Sequence, residues 1–427
     1  MEKDKRYARC RRAQIVEALL EYLNSLLVTG TFLSAILKQV GVSDSVAGIV
    51  SSFVSLACCA QLFSNLIEKP GRHLRRTLVL FAAVNEVLFA GLYLVPSFPL
   101  SSNVKSGLFV VMILLAYICL YLSTPVKYRW LMDSVDADKR GSFTAKKEIV
   151  SLIGGMLFSL GMGRLVDYFR DTGRDSVGFA ICGAVMVLVS LGHLFTIFLA
   201  EDEVVPEKKS GSGIKEMYSF LLTNKPVRML LVFDILWKTA VGISTPFFGT
   251  YVIGELGFTL TQVSLFSIVT SLARAAVSPF TGRFADQKGW RPLLALCIGV
   301  SAVGFFTMGF ASPAARVLYF AGQILYCMAM AGINGGISNI TYDYIDREHF
   351  SMALGTRQAV SGIVGFLASL LGSAVVTRVQ AAGNTVFGTT IYAQQLLSAA
   401  GAVIMIIAVI YLSTVIKRMP LGKNERG

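Results

Sequence analysis

Charged and amide side chains set inside long apolar runs are the chemically active content of this 427-residue sequence. An ionisable group inside a bilayer costs about 2.5–3.5 kcal/mol on insertion scales, so each one needs a partner, water or a function. The run at about 13–38 places Glu17, Glu21, Asn24 and Thr31 on one helical face, at spacings of four, three and seven. Glu17 falls near the mouth of that run, where water can solvate it. Glu21 lies deeper, roughly 12 Å along a helix that rises 1.5 Å per residue. Two roles fit Glu21: a carboxylate that binds a proton or cation in a central cavity, or half of a structural ion pair with a basic residue on another helix.

A second polar group lies in the run at about 227–254. Asp234 and Lys238 stand i, i+4 with Trp237 between them. The spacing predicts an intrahelical salt bridge that solute or a proton can open, and Trp237 either packs or stacks on a solute. Arg274, in the run at about 259–283, cannot shed its charge. It requires an acid, carbonyl groups or an anionic solute, and Asp234 and Glu21 are the acids to consider. Asn334 sits in a stretch loosened by Gly332, Gly335 and Gly336. Tyr121 shares a face with Tyr117 and Thr124, a pattern as common in packing as in binding. Arg164 and Asp167, i, i+3, read as a structural pair. Lys127, Arg129, Lys146, Lys147 and Glu148 read as topology and headgroup contacts.

The elements carrying these residues are membrane spans. Hydrophobic residues make up 54% of the chain and charged residues 15%, below the quarter typical of soluble domains. Apolar runs of roughly 20 residues recur, the length that crosses a bilayer. Twelve are expected: 13–38, 44–67, 75–95, 104–131, 142–169, 176–200, 227–254, 259–283, 291–311, 314–343, 351–378 and 386–416. The polar stretch EDEVVPEKKSGSGIK divides the chain into a bundle at 1–200, a linker at 201–225 and a bundle at 226–427. The net charge of +13 would suit nucleic acid, but most Lys and Arg fall in the expected cytosolic segments. That asymmetry places both termini in the cytosol. The seven Cys avoid external loops, so no disulfides are expected, and the three His are scattered without forming a metal cluster.

The halves repeat one another. SNLIEKPGRHLRR (64–76) and GRFADQKGWRP (282–292) both read small residue, x, apolar, x, acid, polar, x, Gly, then basic residues, so that Glu68 matches Asp286 and Gly71 matches Gly289. Gly permits the tight turn and the basic residues hold it in the cytosol. Separately, a shift of 210 lays Asp133 and Asp136 on Asp343 and Asp346, Lys147-Glu148 on Arg357-Gln358, and Gly155 on Gly365. Such repeats imply parallel six-helix halves related by an axis along the membrane normal.

Both loops resemble the signature of the major facilitator superfamily of secondary transporters. Gly282, Asp286, Gly289 and Arg291 match it fully. The first copy keeps Gly71 and Arg72 but has Ser64 and Glu68 in place of Gly and Asp. The resemblance implies an all-α membrane protein of twelve transmembrane helices in two six-helix bundles. It implies a cavity lined by helices 1, 4, 7 and 10, helped by 2, 5, 8 and 11, where Glu21, Asn24, Tyr121, Asp234, Trp237, Lys238, Arg274 and Asn334 could converge. Conformational gating would fall to Glu68, Gly71, Arg72, Gly282, Asp286, Gly289 and Arg291. The peripheral third helix would give Asn85 and Glu86 a buried structural role.

The expected function is secondary transport of a small organic solute by alternating access, coupled to protons, in a bacterial-type plasma membrane. No cofactor, nucleic acid or nucleotide is expected, since no GxxxxGK[ST] loop is present to cradle phosphates. A multidrug or amphiphile/lipid efflux antiporter is the alternative within the fold. The departures from drug-antiporter signatures in helices 4 and 5 (Thr124-Pro125-Val126-Lys127, and no proline in helix 5) weigh against it. A membrane enzyme or sensor is the alternative outside the fold. An enzyme needs acids and bases clustered at one depth, whereas the repeated Asp pairs read as helix caps, and no sensor output domain is present.

Overall fold

In the computed structural model, residues 2–66, 73–132, 140–199, 214–345, 350–386 and 389–420 are described. Each of the twelve expected runs carries helix among the described residues, the last of them only from Ala393. In chain order the helices are α1 (Glu2–Leu27), α2 (Gly30–Gln39), α3 (Asp44–Ser51), α4 (Phe53–Ala57), α5 (Leu74–Leu92), α6 (Ser102–Met132), α7 (Arg140–Asp171), α8 (Asp175–Leu199), α9 (Ile214–Thr223), α10 (Lys225–Gly242), α11 (Phe248–Thr250), α12 (Leu260–Lys288), α13 (Trp290–Met308), α14 (Val317–Tyr344), α15 (Phe350–Ala381) and α16 (Ala393–Thr414). The described strands are a two-residue antiparallel pair, Thr385–Val386 with Thr389–Thr390.

Nine helical stretches among the described residues are long and apolar enough to cross a membrane, and α1 with α2, bent by 42°, makes a tenth. The bend falls where Gly30 takes a φ of +56°, a conformation glycine adopts without steric cost. Of the other two runs, α5 carries Arg75, Arg76 and Glu86. The run expected unbroken at 227–254 stops instead at Gly242, resumes as a 3₁₀ turn at Thr245–Phe247 and closes in a π turn at Tyr251–Glu255. Pro246 accounts for the break: it lacks an N–H and disfavours helical geometry in the residue before it.

The chain forms two compact units. Unit 1 holds residues 1–43, 60–211 and 258–265; unit 2 holds 44–59, 212–257 and 266–427. The pattern of helix packing recurs between them. In unit 1, α1 packs on α7 and α8, and α5 on α6 and α8; in unit 2, α10 packs on α15 and α16, and α13 on α14 and α16. Small residues allow the close approaches. A Cβ on Gly155 would overlap the Tyr22 ring, and one on Gly242 would strike the backbone of Gly365. Hydroxyl pairs join α3 and Ser52, just after it, to α15, with Ser369 Oγ donating to Ser52 Oγ at 2.7 Å and Thr377 Oγ1 to Ser45 Oγ at 2.8 Å. The large exposed side chains, such as Leu157, Leu188, Val303 and Leu371, are the surface a lipid-facing helix needs.

Candidate functional site

In unit 2 a cavity of about 340 Å³ opens between α10, α14 and α15, with Ser55 of α4 and Cys58 just beyond it also in the lining, toward the small end of small-molecule sites. Helical periodicity supplies its walls. Asp234, Trp237, Lys238 and Val241 stand i, i+3, i+4, i+7 on α10; Tyr326, Met330, Asn334 and Ile337 line one face of α14; Leu354, Gln358, Ser361 and Gly362 line one face of α15. The Asn224 side chain starts α10 by accepting from the Val227 amide at 3.1 Å, an N-cap. The Gly242–Gly365 approach then draws α10 against α15.

That approach places Asp234 against Arg357. Arg357 Nε donates to Asp234 Oδ2 at 2.7 Å and Nη2 to Oδ1 at 2.8 Å, while Nη1 donates to Thr341 Oγ1 at 2.5 Å. Arg357 is 0% exposed and Asp234 3%. This corrects two expectations. Asp234 does not form its salt bridge with Lys238, because the planar Arg357 fork takes both carboxylate oxygens at once, a geometry an ammonium cannot match. Arg274 does not pair with Asp234, whose oxygens Arg357 holds; it lies close enough to Tyr326 and Cys327 on α14 to act on them electrostatically. Lys238 makes no hydrogen bond or ion pair among the described residues.

Unit 1 builds a different polar centre. Glu17 and Glu21 on α1 both accept from Lys127 Nζ on α6, at 2.8 and 2.6 Å. His193 on α8 lies between Glu17, 3.2 Å from Nε2, and Glu86 on α5, which bonds Nδ1. Glu17, Glu86 and His193 are 3, 3 and 4% exposed, so Glu17 is not solvated as its position near the run's mouth suggested. Glu21 is the open member, its side chain 33% exposed. Lys127, read as a topology residue, is the cation at the centre. Nor are the histidines all scattered from acids: Glu17, Glu21 and His193 bring ligand atoms within 4.8 Å of one another. A metal would there compete with the Lys127 ammonium, which already supplies the positive charge. Asn24 donates to Ser190 Oγ at 3.0 Å and ties α1 to α8.

The remaining site residues are dispersed. Tyr121 lies half-buried on α6, outside the cavity lining. Asp167 accepts from the Leu260 and Thr261 amides at 3.2 and 2.7 Å and so caps α12, and its cationic neighbour at 3.9 Å is Arg170, not Arg164. Gly282 is exposed on α12 with open space around it. Gly289, with φ 85° and ψ 170°, ends that helix and starts α13, which carries Arg291 near Tyr344. Glu68, Gly71 and Arg72 lie outside the described residues, as does the side chain of Asp286.

Arg357, Gln358 and His193 were missed as site residues. The signal for two of them was available: Arg357 and His193 are ionisable residues inside expected spans, the criterion that selected Arg274.

A family model described as MFS/sugar transport protein matches residues 32–350. No curated protein matches the chain. Among solved structures, the nucleoside transporter NupG superposes with TM-score 0.71 at 14% identity, covering 96% of this chain and 99% of that one. The xylose transporter XylE from E. coli gives 0.68 at 11%, covering 99% of each. A POT family peptide transporter gives 0.68 at 12%, also covering 99% of each. At such identities the likeness shows the fold alone, which is the major facilitator fold.

Proposed function

The chain belongs to the MFS/sugar transport protein family, which makes it a multi-pass membrane transporter of a small solute and not an enzyme, and on that premise we propose that the unit 2 cavity is its solute site, worked by alternating access and driven by protons. One observation carries the reading: the cavity gathers Trp237, Lys238, Asn334 and Gln358, from three separate helices, around one solute-sized space. Convergent polar groups in an otherwise apolar pocket are what a binding site requires.

The unit 1 cluster supports the proton. Were Glu17 and Glu86 both ionised, His193 between them would donate from both ring nitrogens as an imidazolium, and Lys127 would add a second positive charge against three carboxylates, Glu17, Glu21 and Glu86. One further proton makes the cluster neutral, and a low-dielectric setting favours neutrality. Glu21, the open member, is the carboxylate that loads and releases it. Gating falls to the loops bearing Glu68, Gly71 and Arg72, and Gly282, Asp286, Gly289 and Arg291. The membrane is the plasma membrane, with both termini in the cytosol.

Reconstituted vesicles test the coupling. Glu21→Gln should abolish uphill accumulation under a proton gradient and leave solute exchange largely intact. If Glu21→Gln still concentrates solute, coupling does not run through Glu21.

A further inference from the structure

The charge balance of the unit 2 cavity is uneven. Among the described residues its acidic wall group is Asp234, whose carboxylate oxygens are both taken by Arg357, itself fully buried and outside the lining. Lys238, one turn further along α10, lines the same space and makes no hydrogen bond or ion pair among the described residues. Arg274 lies outside the lining. The neutral polar groups of the lining, Asn334, Gln358 and Ser361 among them, can donate hydrogen bonds.

We infer that the cavity selects a small organic monoanion, with the Lys238 ammonium as its charge partner. This rests on the cavity being the solute site. The Asp234 carboxylate acts on Lys238 only at a distance because Arg357 holds both its oxygens, so a bound carboxylate gives the half-buried ammonium the direct charge-assisted hydrogen bonds it lacks. Among the described lining residues the one cation outside any ion pair, Lys238, matches one negative charge. Trp237 and Tyr326 flank the space with aromatic surface that suits an apolar or planar solute body. The same Trp237 face would attract a cation, but Lys238 beside it repels one.

The test is ligand-dependent thermal stability of the purified full chain in detergent, using matched probes as sodium salts or neutral solids. They are D-glucuronate against D-glucose, benzoate against benzamide, and nicotinate against nicotinamide, with inorganic phosphate as a separate arm. At least one carboxylate should raise the unfolding temperature while its neutral counterpart does not. Lys238→Gln should weaken that carboxylate about tenfold to a hundredfold, the range for losing a charge-assisted hydrogen bond, and Lys238→Arg should retain most of the affinity. Carboxylate stabilisation that persists in Lys238→Gln overturns the inference. Stabilisation by phosphate alone overturns the carboxylate assignment. Stabilisation by the neutral probes alone overturns the charge assignment and leaves the cavity as the solute site. If no probe of either kind stabilises the protein, the inference falls together with that reading of the cavity.

Discussion

Replacing Arg357 with Met should destabilise the protein by about 3–5 kcal/mol, the cost of stranding a buried carboxylate. The structure sets out the components. Two charge-assisted bonds to Asp234 vanish, and the carboxylate keeps no cationic partner inside ion-pair distance among the described residues. The Thr341 hydroxyl and the Ile337 carbonyl each lose a weaker contact, together about 1–2 kcal/mol. The double variant Arg357→Met/Asp234→Leu removes the stranded charge and leaves only that smaller loss. The double variant should therefore be about 2–3 kcal/mol more stable than Arg357→Met alone, and Asp234→Leu alone, which strands the Arg357 guanidinium, completes the cycle that gives the coupling. SDS-driven unfolding of the purified protein in mixed micelles measures all three variants without reference to transport, which matters because Asp234 also borders the cavity. Additivity within about 0.5 kcal/mol would refute the pairing.

Gly289→Ala should cost about 1–3 kcal/mol in the same assay, because φ 85° with ψ 170° is essentially a glycine conformation. Gly282→Ala, on an exposed helical position with nothing within 4 Å, should be neutral or slightly stabilising; equal losses at both glycines would remove the turn argument. For orientation, single Cys at Ser101 or Asn384 in a Cys-free background should react with an impermeant thiol reagent on intact cells, and Cys at Ser210 should not. Reaction at Ser210 alone would invert the membrane topology.

The helices were legible because a bilayer leaves the backbone little else to form, so apolar length is nearly sufficient. Breaks inside spans were less so: Pro246 was in plain view, yet the run around it stayed apolar enough to read as continuous. Asp234, Trp237, Lys238 and Asn334 could be picked out as polar residues in apolar surroundings, and they line one cavity. Their partners could not be named, because pairing depends on which helices touch. A sequence spacing of i, i+4 joins Asp234 to Lys238 on paper, whereas the approach of α10 to α15 at Gly242 and Gly365 gives Asp234 to Arg357. Lys127 was passed over for a related reason. Its place near a basic helix end suited a topology role, and only the packing of α1 in unit 1 shows two acids waiting for it.

The composition of the two units has a consequence for how the protein is made. Residues 44–59 belong to unit 2, yet the ribosome delivers them roughly 290 residues before α15, the helix they pack against; at about 5–20 residues per second that is an interval of about 15–60 s. Through it the Ser45 and Ser52 hydroxyls lack Thr377 and Ser369, and a bond such as Ser52 Oγ to the Ile49 carbonyl, 2.6 Å in the finished structure, is the kind that can shelter them meanwhile. The converse holds in unit 1, where the Asp167 carboxylate is in place before the Leu260 and Thr261 amides it will cap have been synthesised. Neither unit can be completed by the half of the chain that begins it, so nascent chains halted near the linker should hold both sets of partners open to insertion factors and quality-control proteases.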